Sequence, residues 1–156
     1  MVNQEIQTLG ESTAEAGNGA RIVVGFDGSV DSGSALEWAA RQAELTGLAL
    51  EIVAAWEWPS SLGWAPVPGY DPVAETKKLL EPVLEALRTA RPTVSVSWKV
   101  VEGRAAPVLV HESRGAELLV VGSRGHGEFV GMLIGSTSAY CVANASCPVV
   151  VYRSPG

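Results

Sequence analysis

The sequence predicts an α/β protein: an open, five-stranded parallel sheet with four helices distributed over its two faces. Short unbroken apolar runs, Ile22-Val23-Val24 and Leu118-Leu119-Val120-Val121 among them, have the length and character of strands buried on both sides. Between such runs lie stretches whose apolar residues recur at three and four positions, the spacing of one helix face. Strand-like and helix-like segments alternate along the whole chain. That order of elements favours parallel pairing with helical crossovers.

Arg21 to Phe26 is the first strand and ends at Asp27. Asp31 or Ser32 is expected to cap the following helix, which turns Ala35, Leu36, Ala39, Ala40 and Ala43 inward and Glu37, Arg41 and Glu44 outward. Gly47 ends it. Leu48 to Trp56 is the second strand. The loop from Glu57 to Tyr70 then carries three prolines, two glycines and two tryptophans, and loops this long in compact domains are commonly lids or binding loops. Two readings stand for it: Trp58 and Trp64 cover the apolar rim of the sheet, or the loop folds over a ligand or presents a partner surface. Asp71-Pro72 opens the second helix, with Leu80, Val83, Leu84 and Leu87 as its buried stripe and Pro82 expected to kink it.

Val94, Val96, Trp98 and Val100 alternate with Ser95, Ser97 and Lys99, the period of a strand with one polar face at a sheet edge. Arg104 to Arg114 reads as a short helix with Pro107 in its first turn and His111 on its surface, and Gly115 stops it before the fourth strand. A last helix opens at Ser136 and runs to about Ala145, and Pro148 to Tyr152 is the final strand. Residues 1–20 contain Glu5, Glu11 and Glu15 and no basic residue, so they read as a mobile tail and not as a secretory leader, with one domain over 21–153.

At 156 residues and 47% apolar, the chain has enough material for one sizeable core. Its net charge of −6 and scattered arginines speak against a nucleic-acid partner, since neutralising a duplex backbone needs clustered Lys and Arg. No apolar run approaches the roughly 20 residues of a membrane span. Cys141 and Cys147 have no histidine or further cysteine at ligand spacing, so free thiols in a reducing, cytoplasmic setting are expected and not a metal site.

The most informative stretch is Leu118 to Thr137, LLVVGSRGHGEFVGMLIGST, in which a buried strand stops at Gly122 and leads through Gly125 to Gly135, Ser136 and Thr137 at a helix start. Glycines at 122 and 125 are expected to let the main chain turn through conformations closed to other residues and to bring backbone N–H groups close to a bound anion. Ser136 and Thr137 stand where N-caps stand, at the positive end of a helix whose first N–H groups can point at phosphate oxygens. Glycines after a strand often only make a turn. The spacing, Gly-x2-Gly-x9-Gly-Ser, followed by Cys147-Pro148-Val149-Val150-Val151 and preceded by Ile22-Val23-Val24-Gly25-Phe26-Asp27-Gly28-Ser29, resembles the nucleotide-binding universal stress protein family. The resemblance runs from about Arg21 to Arg153.

That resemblance implies a Rossmann-like fold of the adenine nucleotide α-hydrolase-like kind with strand order 3-2-1-4-5, ATP as ligand, and a homodimer paired through Pro148 to Tyr152. It also implies roles. Gly122, Gly125 and Gly135 match the motif glycines, Ser136, Thr137 and Ser138 the hydroxyl-bearing stretch that meets phosphate, and Asp27 the acidic residue near adenine and ribose. Gly25 would leave room beside it, Ala55 would line the adenine slot, and Arg124 would supply positive charge near the phosphates. Mg2+ would be held mainly by the phosphates with waters completing its shell. His126 has no counterpart in the motif.

No catalytic residue is assigned. Phosphoryl transfer needs a metal clamp, charge for the transition state and a group orienting the nucleophile, and the loop offers one arginine and one histidine. ATP binding with slow hydrolysis at most is therefore expected, the nucleotide acting as a conformational signal in a stress or dormancy response with an unidentified protein partner. Three other readings compete: a stress interaction protein that holds no nucleotide, an adenylate-forming enzyme, and a flavin carrier. The second needs a Ser-Gly-Gly-x-x-Ser loop after strand one, where this chain has Asp27-Gly28-Ser29-Val30-Asp31-Ser32.

Overall fold

A computed structural model describes residues 20–58, 67–125 and 134–155. Its elements are β1 (Arg21–Gly25), α1 (Val30–Thr46), β2 (Ala49–Trp56), α2 (Pro72–Ala90), β3 (Val96–Glu102), α3 (Ala105–Glu112), β4 (Leu118–Gly122), α4 (Ser136–Asn144) and β5 (Val149–Tyr152). The strands form one parallel sheet in the order β3-β2-β1-β4-β5, with β3 at an edge as its alternation predicts.

Side chains along a strand point alternately to the two faces, and the core follows that period of two. Ile22, Val24, Leu50, Ile52, Ala54, Val100 and Val120 face α1 and α2. Val23, Val53, Val101, Leu119 and Val121 face the other way, toward Val108 and Leu109 of α3 and Cys141 of α4. Each fully buried Val, Leu or Ile contributes about 1.5–3 kcal/mol relative to exposure. The four buried alanines of α1 present a low ridge, so the helix can lie close to the sheet.

Two local expectations, the cap of α1 and the ends of α3, need correction. The cap of α1 is Ser29, whose Oγ accepts from the Ser32 N–H at 3.2 Å, and neither Asp31 nor Ser32 takes that place. Helix α2 runs from Pro72 to Ala90 with Pro82 inside it, where the ring leaves the Lys78 carbonyl without its helical donor. Helix α3 is shorter than expected at both ends. Strand β2 carries a buried charge: Glu51 is only 2% exposed, with Arg21 Nε at 3.7 Å and Lys99 Nζ at 3.3 Å, and Lys99 also reaches Glu112 of α3 at 3.0 Å. A buried carboxylate persists where opposite charges offset its lost hydration, and here they tie β1, β2, β3 and α3 together.

Gly33 lies within α1, and a methyl group there would meet nothing within 4 Å. Gly33→Ala is expected to raise stability by about 0.5–1 kcal/mol, because alanine loses less backbone entropy in a helix. A higher urea midpoint at unchanged slope checks this, and a lower midpoint contradicts it.

Candidate functional site

Strand β1 pairs with β2 on one side and β4 on the other, so the chain leaves the carboxyl ends of β1 and β4 in opposite senses. Open parallel sheets hold ligands at such a point. An open cleft of about 570 Å³ lies there. Gly25, Asp27, Ala55, Gly122, Arg124, Gly125, Gly135, Ser136, Thr137 and Ser138 all border it, although they come from four separate parts of the chain.

The motif glycines are required by space and not by backbone conformation. Positive φ occurs among the described glycines at 28, 47, 69, 103 and 115, and not at 122, 125 or 135, which corrects the expectation drawn from the sequence. A Cβ on Gly122 would stand 3.0 Å from the backbone carbon of Asp31. One on Gly125 would stand 2.8 Å from Asp27 Oδ2, and one on Gly135 3.2 Å from the Ser123 carbonyl oxygen. At 122 and 135 the atom met is backbone, so glycine lets two segments meet that a methyl group would push apart, whereas at 125 it is the end of the Asp27 side chain. Gly25 makes room for Leu109 of α3, whose Cδ1 lies 2.8 Å from where its Cβ would be.

Those close approaches converge on Ser123, which is 1% exposed. Its N–H donates to the Tyr152 carbonyl at 2.7 Å, and its own carbonyl accepts from the Gly135 N–H at 2.6 Å. Its Oγ donates to Asp31 Oδ2 at 2.9 Å. The N–H groups of Ser123 and Gly135 are therefore spent inside the protein. Among the described residues, the start of α4 offers donors to a ligand: Gly135 is the N-cap, and the helical bonding begins with the Ala139 N–H on the Gly135 carbonyl at 3.0 Å. Ser136, Thr137 and Ser138 lack helical acceptors for their N–H groups, as the first turn of any helix does. Ser136 and Thr137 are thus the first two residues of the helix and not its cap. The Ser138 hydroxyl is buried and donates to main-chain carbonyls at Gly135 (3.0 Å) and Ser123 (3.3 Å), so it shapes the corner instead of reaching into the cleft.

Two acidic residues flank this corner. Asp27 is exposed at the cleft edge, with its Oδ1 accepting from the Ser29 N–H at 2.9 Å and its own N–H on Ser32 Oγ at 3.3 Å. Asp31 is buried. Burial works against its charge, but the neighbouring Ser154 and Ser123 hydroxyls and Arg124 outweigh that and hold the carboxyl below the usual aspartate value. Arg124 is half exposed, with Nε 3.7 Å from Asp31 Oδ2. Cys141 is buried against the sheet, and burial pushes its thiol up to about 11, so it is an inert core group.

Sequence reasoning missed Thr76 and Leu79 of α2, which line the cleft mouth, and the Asp31–Ser123 contact. Leu79 breaks the buried stripe of α2 and is 53% exposed, a signal that could have marked it. Trp58 packs edge-on against Tyr70, ring centroids 5.9 Å apart, and is not among the residues lining the cleft. Trp64 and His126 lie outside the described residues, as do 1–19. His111 is exposed. Among the described residues, no group of three or more His, Cys, Asp or Glu side chains is placed to hold a metal ion, and no helix is long and apolar enough to cross a membrane.

Residues 20–153 match the model of the universal stress protein family. A universal stress protein of Mycobacterium tuberculosis (strain ATCC 25618 / H37Rv) is 39% identical over 142 residues, covering 87% of this chain and 44% of its own length. Another from the same strain is 36% identical over 141 residues, covering 83% and 46%. The chain spans a little under half the length of these curated relatives. Among solved structures, a universal stress protein in complex with cAMP is 25% identical with a TM-score of 0.64, covering 85% of this chain and 95% of that one. A universal stress protein family protein from Arabidopsis thaliana with AMP bound is 21% identical with a TM-score of 0.59 over 88% and 94%, a likeness of fold. With the glycine corner, the parallel sheet and these matches in agreement, the chain belongs to the universal stress protein family.

Proposed function

We propose that the cleft binds an adenine nucleotide, ATP in particular, and that the protein works as a nucleotide-dependent regulator of a stress or dormancy response. The observation that carries this reading is the start of α4, where three N–H groups without helical acceptors border the cleft next to Arg124. Such a helix end favours an anion both by donor direction and by its partial positive charge. Across the cleft, Val53, Ala55 and Leu109 make an apolar wall of the kind that accepts a flat base. Asp27 also borders the cleft, and its exposed carboxylate is an acceptor suited to a ribose hydroxyl. The solved relative that holds cAMP supports the choice of an adenine nucleotide.

Mg2+ fits this site as a companion of the phosphates: hard oxygen ligands from the nucleotide and water suit it. When bound it would supply charge neutralisation for the phosphate tail. The residues of the chain do the rest, with Ser136 and Thr137 donating to phosphate oxygens and Arg124 adding one charge-assisted contact. Phosphoryl transfer asks for a metal clamp, charge for the transition state and a group orienting the nucleophile, and with Arg124 as the cation named for the phosphates the expected chemistry is retention of the nucleotide with slow hydrolysis at most. Pairing of two copies along the exposed edge of β5 belongs to the same reading, since that short uncharged strand would otherwise invite uncontrolled pairing.

Acid extraction of the purified protein followed by mass analysis is expected to release an adenine nucleotide, and calorimetry of nucleotide-free protein to show ATP binding that Thr137→Val weakens by about tenfold, the worth of one charge-assisted hydrogen bond. Gly122→Ala is a poorer probe, because its Cβ would press on the backbone of Asp31 and strain the fold itself. Absence of binding to ATP and to every other adenine nucleotide contradicts the reading. Turnover is expected far below the roughly 1 per second of a working kinase, and a rate at that level would make the protein an enzyme instead.

A further inference from the structure

We infer that Asp31 is a positioning residue for the phosphate end of the cleft, acting on the ligand through Ser123 and Arg124 without touching it. The inference rests on the nucleotide reading above and names a residue that reading does not use. Asp31 does not line the cleft, whereas both of its partners do. Its Oδ2 accepts from Ser123 Oγ at 2.9 Å and lies 3.7 Å from Arg124 Nε. Neighbouring residues of the loop therefore share one carboxylate oxygen.

Helix capping does not account for Asp31, because Ser29 already performs that task. Core packing does not account for it either, since burying a carboxylate is unfavourable unless partners compensate. What the carboxylate supplies is a fixed reference for the loop. The hydroxyl bond holds Ser123, whose N–H and carbonyl tie the loop to the end of β5 and to the start of α4. The ion pair sets the direction from which the Arg124 guanidinium enters the cleft, and a planar guanidinium is sensitive to that direction. A Cβ added at Gly122 would stand 3.0 Å from the backbone carbon of Asp31, so α1 and the loop meet with no room for a side chain there.

The test is calorimetry on the full chain with ATP and with adenosine, which lacks the phosphates. Asp31→Asn keeps the shape and an acceptor oxygen for Ser123 but removes the charge facing Arg124. It is expected to weaken ATP about tenfold and adenosine less than twofold, and to add less than twofold once Arg124→Ala is present, as coupled residues do. Equal losses for ATP and adenosine, an unchanged or tighter affinity for ATP, or additive losses in the double variant each overturn the inference while leaving the nucleotide reading intact. Should Asp31→Asn fail to fold, Ser123→Ala carries the same expectation, a loss for ATP and not for adenosine, with the same overturning results. Wild-type protein that binds neither ligand overturns the nucleotide reading, and this inference falls with it.

Discussion

Ser123 donates its N–H to the end of β5, its hydroxyl to α1, and accepts from the start of α4 through its carbonyl. Three segments distant in sequence thus meet on one buried residue. Each of these bonds sits where water cannot replace it, so leaving any group unpaired costs about 1–3 kcal/mol. The close approaches that make them feasible are the reason the flanking positions are glycines. Remove the space at 122 or 135 and the bonds at 123 lengthen; the shape of the cleft depends on the same distances.

This arrangement divides the labour of the glycine-rich stretch. Its main-chain donors at Ser123 and Gly135 hold the protein to itself, and the α4 turn carries the donors that face outward. An anion therefore meets a helix end held in place beforehand, and little of its binding energy is spent ordering the loop corner. The charge balance points the same way. Arg124 brings one positive charge, partly offset by Asp31, so affinity for phosphate leans on directed N–H groups more than on net charge. On the proposed reading, such a site would retain a nucleotide through directed donors more than through charge density.

The alternation of strands and helices, the core faces and the residues bordering the cleft were legible in the sequence because each leaves a local trace. Buried strands read as unbroken runs, and α1 reads as alanines at helical spacing. What was not legible depends on neighbours in space. Glu51 looks like an interruption of an apolar strand until Arg21 and Lys99 arrive from the flanking strands. In Asp27-Gly28-Ser29-Val30-Asp31-Ser32 nearly every residue is a credible cap, and only the fold shows that Ser29 caps while Asp31 turns to the β4 loop. The glycines were found at the right places for the wrong reason: positive φ is a property of one residue, whereas a forbidden Cβ is a property of the segment opposite.

The central claim is that the start of α4 receives the anion while Ser123 stays locked. Backbone NMR during an ATP titration, with amide hydrogen exchange followed in parallel, tests it most directly. The account predicts that the amide resonances of Ser136 and Thr137 move with ATP, and that the Ser123 and Gly135 amides stay protected from exchange with and without it. ATP binding that leaves Ser136 and Thr137 unmoved, or a Ser123 amide that exchanges freely in the unliganded protein, would contradict it.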